Sequence, residues 1–308
     1  MKTFLHLGSF CLRRAVTWRF LLLFAVALHA SASFAKVKHP STASAFAPAD
    51  VPSGFFPGLI QYFAGNGTGN GQFSNGSLPT LVPVSGYTAT DSQGNVYIGD
   101  PSGAIYMVYA GGSIPAALAN VTTNANPTLS PQAGRIYQLA GFGTSCGACE
   151  GQPLNHVEIA AIAGIAIDGG DNLYYSDTQS QLVGTADVVR KVDATTSNVT
   201  TIAGQWGVQS SSSNIGDGGP ATSATLNQPE DIKLDSYGNL YIDDNFNDVV
   251  RVVYQGSQPP RLLAAEGVNA GPSQKGFIFT VAGQVDDFCT TLGDCGDGTS
   301  ATTSAGLG

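Results

Sequence analysis

Few side chains in this chain of 308 residues have the types and spacing that chemistry requires. Of its four histidines only His39 and His156 lie beyond the first 35 residues, so a metal centre or proton relay built from several imidazoles lacks its residues. His156, two positions before Glu158, reads as an ordinary polar loop residue. The cysteines beyond Cys11 form two close pairs, Cys146-Gly-Ala-Cys149 and Cys289-Thr-Thr-Leu-Gly-Asp-Cys295. A redox-active pair needs a helix N-terminus to stabilise its thiolate, and no such helix is predicted. A four-thiolate zinc site would have to join distant segments, so local bridges Cys146–Cys149 and Cys289–Cys295 are favoured among the three connectivities. Asp217, Asp286, Asp287, Asp294 and Asp297 sit in Gly-rich loops and are hard oxygen donors of the kind calcium takes. No EF-hand spacing or Gly-Gly-x-Gly-x-Asp array accompanies them. Turn chemistry accounts for them, since Asp accepts backbone hydrogen bonds in turns and Gly supplies positive φ, and no cofactor is expected.

The elements that position these residues follow from an internal repeat. Asp91-Ser-Gln-Gly-Asn-Val-Tyr-Ile-Gly-Asp100 returns as Asp168-Gly-Gly-Asp-Asn-Leu-Tyr-Tyr-Ser-Asp177 and as Asp235-Ser-Tyr-Gly-Asn-Leu-Tyr-Ile-Asp-Asp244. Each block predicts a tight hairpin, with alternating side chains before a Gly/Asn turn and an aromatic, β-branched return strand. Asp91, Asp168 and Asp235 are its turn formers. A third strand is predicted at Ala104 to Tyr109, Val188 to Val192 and Val249 to Tyr254. A fourth ends in Leu139-Ala-Gly141, Ile202-Ala-Gly204 and Val281-Ala-Gly283. Four strands per unit, used repeatedly, give an all-β propeller in which each blade covers its neighbour's apolar face. Arg190 and Arg251 take the same place in the third strand of successive blades, where the first blade has Tyr106.

In order along the chain, Asn198-Val-Thr-Thr-Ile-Ala-Gly204, Gly216-Asp-Gly-Gly-Pro-Ala-Thr-Ser-Ala224, Leu226-Asn-Gln-Pro229, the block from Asp235 to Asp244 and Val250-Arg-Val-Val253 resemble the NHL repeat of β-propeller proteins. The resemblance covers most of 58–308 and implies four-stranded NHL-type blades at about 86–141, 163–204 and 230–283, with a truncated fourth from 284. A lone strand at 58–65 precedes them. NHL propellers are usually six-bladed, so an incomplete ring of about three blades plus an orphan strand is expected; the alternative is a complete protein that closes by pairing two chains. In this repeat Arg190 and Arg251 are expected to hold blades together through carboxylates and carbonyls more than to touch ligand. Lactonase propellers, a neighbouring class, hold a divalent ion with Glu, Asn and Asp, for which Glu230 and Asp231 have the right type here.

The N-terminus reads as a secretory signal peptide over residues 1–35. Lys2, Arg13, Arg14 and Arg19 precede the apolar run Phe20 to Leu28, and small residues follow at Ala30 to Ala32 and Ser33 to Ala35. Residues 36–57, rich in Ala, Ser and Pro, read as a linker. Loss of the leader removes four of 13 basic residues and none of the 22 acidic ones, taking the net charge from −9 to −13. A surface so acidic excludes phosphate-backbone recognition and disfavours anionic membranes. The expectation is therefore a secreted, periplasmic or extracellular protein that binds a protein or glycan through loops at one face, with Arg190, Arg251, Glu230 and Asp231 as candidate binding residues. The rival is a metal-dependent lactonase-like or lyase enzyme whose site residues are shared with further blades.

Overall fold

The computed structural model describes residues 63–67, 73–121, 129–141, 149–178, 187–208, 215–265, 268 and 270–283. The chain divides into units Met1–Pro52 and Ser53–Gly308, and every described residue belongs to the second. The segments expected as leader (1–35) and linker (36–57), Cys146, Cys289, Cys295, and Asp286, Asp287, Asp294 and Asp297 lie outside the described residues.

Among the described residues, twelve strands form three antiparallel sheets of identical order. The first blade holds β1 (Tyr87–Thr90), β2 (Val96–Asp100), β3 (Ala104–Tyr109) and β4 (Arg135–Ala140). The second holds β5 (Ile162–Ile167), β6 (Leu173–Thr178), β7 (Asp187–Val192) and β8 (Val199–Ala203), and the third β9 (Pro229–Leu234), β10 (Leu240–Asp244), β11 (Val249–Tyr254) and β12 (Phe277–Gly283). In every blade the strands pair in sequence order, so each is a meander. The chain is thus all-β and propeller-like, and its three blades do not close a ring among the described residues. Of the expected strand at 58–65, Phe63 to Gly65 are described and are not in a strand. Ala64 instead lies with Phe73 and Val84 against Val82, Ile98, Val108 and Ile136 of the first blade, where side-chain burial rather than strand pairing places it.

The repeated Asp/Asn pair ties each hairpin to the neighbouring turn. Asp91 Oδ1 accepts from the N–H groups of Gln93 (3.0 Å) and Asn95 (2.9 Å), while Asn95 Nδ2 donates to Asp91 Oδ2 at 2.7 Å. Asn95 Oδ1 then accepts from the Ala110 N–H at 2.7 Å, beyond β3. Asn172 and Asn239 do the same for Ala194 (3.0 Å) and Gly256 (2.9 Å). A single asparagine therefore fixes two turns, which is why it recurs at the same place in each block.

Blades pack through alternate faces. Ala166, Tyr174 and Val189 of the second blade share one cluster with Ile232, Leu240, Ile242, Val253 and Ile278 of the third. Met107, Tyr137 and Leu139 of the first blade share another with Ile165, Leu173, Tyr175 and Val192 of the second. Full burial of each large side chain contributes on the order of 1.5–3 kcal/mol. Gly164 in β5 permits a close approach of the second and third blades, because a Cβ there would lie 2.5 Å from the carbonyl oxygen of Glu230 in β9.

The outer strand of each blade is covered by the loop that precedes that blade. Gly76, Gly151 and Gly218 donate backbone N–H bonds to Ile136 (2.9 Å), Val199 (2.8 Å) and Ile278 (2.8 Å), which donate back to Ser77, Gln152 and Gly219. The residue before each glycine adds a side-chain bond. Asn75 accepts from the Gln138 N–H at 2.7 Å, Glu150 from Thr201 at 3.1 Å and Asp217 from Thr280 at 3.1 Å. This clasp satisfies edge groups that would otherwise template pairing with another chain. Two short helices, α1 (Ala116–Asn120) and α2 (Arg261–Ala265), lie in the third-to-fourth strand connections. Pro115 opens α1, and its Leu118 is fully buried.

Candidate functional site

Polar chemistry gathers in two places on the second and third blades: inside the blades, and on the rim where β9 begins. Inside the third blade Arg251 projects from β11 and is 0 % exposed. Its guanidinium makes five hydrogen bonds: Nε and Nη2 to Asp217 Oδ1 (3.2 and 2.8 Å), Nη1 to Asp244 Oδ2 and the Thr225 carbonyl (3.2 and 3.0 Å), and Nη2 to the Ile215 carbonyl (3.0 Å). Asp217 is thus the anchor between loop, β11 and β12, which corrects its sequence reading as a turn former. The planar fork of arginine suits such a cage, and lysine would not fill it. Asp244 is held above the ordinary carboxylate range by burial, which outweighs the opposing pull of Arg251 and the hydrogen bonds from Asn227 and Asn247.

Arg190 holds the matching place in β7 and is equally buried. Its Nε lies 3.4 Å from Asp177 Oδ2, and its guanidinium stacks 4.9 Å from the Trp206 ring centre. The contact with Asp177 lacks the hydrogen-bond geometry of its counterpart in the third blade and is an electrostatic pairing. Burial accordingly pushes Asp177 up to about 6, against the pull of Arg190 and the N–H bond from Ala160.

Glu230 and Asp231 open β9 at the rim, with side chains on the surface. Glu230 Oε1 accepts from Asn245 Nδ2 at 2.7 Å, and its carbonyl accepts from Ser176 of the second blade at 2.8 Å. Asp231 pairs with Lys233, with Nζ 2.6 Å from Oδ2. Asp243, in the neighbouring β10, is raised by partial burial and by the negative charges of Glu230 and Asp231, which places all three in one field. Phe246, next in sequence to Asn245, is 56 % exposed on a turn fixed by Phe246 N–H to the Asn227 carbonyl (3.1 Å) and by Asp248 in the left-handed region. Among the described residues no group of three or more His, Cys, Asp or Glu has the arrangement of a metal site.

The structure therefore brings Glu230 and Asp231 together on the surface and sets Arg190 and Arg251 apart from them in the interior. Sequence reasoning passed over Asp243, Asn245, Asp177, Asp244 and Glu150. Glu150 could have been found by counting, since Glu150-Gly151 precedes Asp168 by the same interval at which Asp217-Gly218 precedes Asp235. Cys149 is 3 % exposed and packs with Leu154, Val157 and Val199, while Cys146 lies outside the described residues. On the opposite face a cleft of about 120 Å³ separates the first and second blades, lined by Asp91, Tyr97, Pro115, Asp171, Leu173 and Asp193. It is smaller than the few hundred Å³ of a typical ligand pocket. Its carboxylates are already engaged, Asp171 with Ser92 at 2.6 Å and Asp193 with Thr196 at 2.8 Å.

Residues 144–257 match the model of the Teneurin NHL domain. No curated protein matches the chain. A solved structure from Bacteroides thetaiotaomicron, described as a structural genomics protein of unknown function, aligns at 20 % identity and a TM-score of 0.29, over 51 % of this chain and 44 % of that one. The chain thus spans less than half the length of that protein, and the fold rests on the strand pairing itself. Three meander blades of one register make the described part of the chain propeller-like, and residues 144–257, which span the second blade into the third, are similar to the Teneurin NHL domain.

Proposed function

We propose that this chain is an exported binding or scaffolding propeller that takes a protein or glycan partner on the rim around Glu230, Asp231, Asn245 and Phe246. One observation supports the reading: the guanidinium groups of Arg190 and Arg251 are consumed inside their own blades, while Phe246 stands 56 % exposed next to Asn245, which donates to Glu230 at 2.7 Å. An exposed aromatic flanked by hydrogen-bonding groups is the composition of a recognition surface. The leader at 1–35 accounts for export, and export in turn permits a bridge between Cys146 and Cys149, the nearest cysteine in sequence.

The test uses the full chain expressed with its own leader. N-terminal sequencing of the exported protein should begin near residue 36. Photo-crosslinking from position 246, followed by mass spectrometry, should capture a partner or glycan whose yield falls at least about tenfold in Glu230→Gln and Asp231→Asn, with melting unchanged. Metal-dependent lactone hydrolysis that Glu230→Gln or Asp231→Asn abolishes would overturn the reading in favour of the enzyme.

A further inference from the structure

We propose that Asp244 is the positioning residue of the rim: one buried carboxylate, out of reach of any partner, sets both the strand entry that carries Glu230 and Asp231 and the turn that carries Phe246. The inference rests on the reading of that rim as a recognition surface. Asp244 ends β10 and is fully buried. Its Oδ1 accepts from the Asn227 N–H at 2.8 Å and its Oδ2 from Asn247 Nδ2 at 2.9 Å, so one oxygen serves each limb of the rim. Arg251 Nη1, 3.2 Å from Oδ2, supplies the countercharge. Beyond the carboxylate the limbs bond to each other. Phe246 N–H donates to the Asn227 carbonyl at 3.1 Å, Asn227 Nδ2 to the Phe246 carbonyl at 3.3 Å and Asn245 Nδ2 to Glu230 Oε1 at 2.7 Å.

Each limb carries a residue whose backbone needs such a hold. Gln228, directly after Asn227, has φ +49°, and Asp248, directly after Asn247, has φ +56°. Both lie in the left-handed region, which residues with a Cβ enter only where their surroundings impose it, and strain of this kind gathers at binding and switching sites. Gln228 N–H donates to Asp187 Oδ1 of the second blade at 3.1 Å, and Asp248 N–H to the Asn245 carbonyl at 3.1 Å. The matching aspartates make different use of their oxygens. Asp177 of the second blade accepts from the Ala160 N–H at 2.9 Å, where alanine has no amide side chain to reach across. Asp100 of the first accepts from Ser102 N–H in its own loop at 2.8 Å and lies 3.5 Å from the Ser85 N–H.

The experiment separates position from stability. Arg251→Met removes the cation but leaves Asp244 holding both limbs. Adding Asp244→Leu, whose forked side chain follows the carboxylate's outline, removes the stranded charge and both acceptors at once. Amide hydrogen exchange on the full chain, as wild type, Arg251→Met, Arg251→Met with Asp244→Leu, and Asn247→Ala, is read at Asn227 and Phe246 relative to the amides of β11. Arg251→Met should speed β11 at least as much as the rim. The double variant should return β11 toward wild type while exchange at Asn227 and Phe246 rises at least about tenfold, the scale of one lost hydrogen bond to a charged acceptor. Asn247→Ala should raise exchange at Phe246 roughly tenfold and leave Asn227 near wild type. A residue that only stabilised the blade would move rim and strand together, so a double variant whose rim amides follow β11 overturns the proposal. Unaltered exchange at Phe246 in Asn247→Ala overturns it too, and decides alone if the double variant does not fold. Photo-crosslinking from position 246 should persist in Arg251→Met and be lost in the double variant. A wild-type chain that captures nothing refutes the recognition reading, while the exchange data still decide whether Asp244 positions the rim.

Discussion

Replacing Arg251 by methionine keeps most of the side chain's volume and removes its charge and five hydrogen bonds. What remains is Asp244, 0 % exposed, without its cation, and the carbonyls of Ile215 and Thr225 without their donor. Breaking a buried ion pair from one side costs about 3–5 kcal/mol, because the orphaned charge stays in a low-dielectric interior. A domain with about 5–15 kcal/mol in all loses a large share of its stability. With a denaturant slope of about 4 kcal/mol per molar in guanidinium chloride, the midpoint should fall by roughly 1 M. The two carboxylates must respond differently. Asp217 is 37 % exposed and can be rehydrated, so Asp217→Asn should cost no more than about 1 kcal/mol. Adding Asp244→Asn to Arg251→Met should recover part of the loss by removing the stranded charge. Equilibrium unfolding of the four proteins by near-UV circular dichroism decides the matter. A midpoint for Arg251→Met within about 0.2 M of wild type, or a double variant weaker than the single, would show that Arg251 is not the keystone of this blade.

Four further outcomes are expected. Asp177 is raised in the folded chain to about 6 from an ordinary 3.8, so the stability it contributes is fully present below the unfolded value and is lost as pH rises through 6. Wild-type stability should therefore increase from pH 7 toward pH 5, by at most about 3 kcal/mol over the full range, and Asp177→Asn should flatten that limb. Asp168 behaves oppositely: burial pushes it up, but hydrogen bonds from Asn172, Gly170 and Tyr174 hold it below its usual value, so its contribution is lost as pH falls below the unfolded value of 3.8, and Asp168→Asn should blunt that acid limb. Gly164→Ala would set a methyl group 2.5 Å from the Glu230 carbonyl oxygen and should destabilise by about 1–3 kcal/mol, read as a lower melting temperature; an unchanged melt would mean that β5 and β9 can part. Asn239→Ala leaves the buried Gly256 N–H without an acceptor and should cost about 1–3 kcal/mol, whereas Ser236→Ala in the same turn should cost little.

The strands were legible because their signals are local. The Asp-x-x-x-Asn turn, the alternating approach and the Ala-Gly ending each lie within about ten residues, and β3 and β11 fall where the sequence places them. The clasp was only partly legible. Glu150-Gly151 keeps the spacing of Asp217-Gly218 to the aspartate that follows, but Asn75-Gly76 shares with them only a polar residue before a glycine, and the partners Gln138, Thr201 and Thr280 are donors through backbone N–H groups, which carry no side-chain signature. The rim was half legible: Glu230 and Asp231 are adjacent in sequence, but Asp243 joins them through the β9–β10 pairing. The helix α1 escaped notice because five residues are too few for periodicity, and its burial against the first blade supplies what propensity does not.

Comparison of the blades shows that the interior charges vary as a set. The second and third blades place arginine in the third strand, aspartate at the end of the second strand and a carboxylate, Glu150 or Asp217, in the clasp. In the first blade Tyr106 replaces the arginine, and the clasp residue is the neutral Asn75, which keeps its bond to the Gln138 N–H. Tyr106 packs on Phe73, with ring centres 4.9 Å apart, and Asp100 turns to the loop, where it accepts from the Ser102 N–H at 2.8 Å. An arginine without acceptors, or a clasp carboxylate without a cation, would strand a charge in the interior, so neither change is tolerable alone. The aromatic pair achieves by apolar burial what the ion cage achieves by charge, and the choice between them is made blade by blade without disturbing the backbone register that all three share.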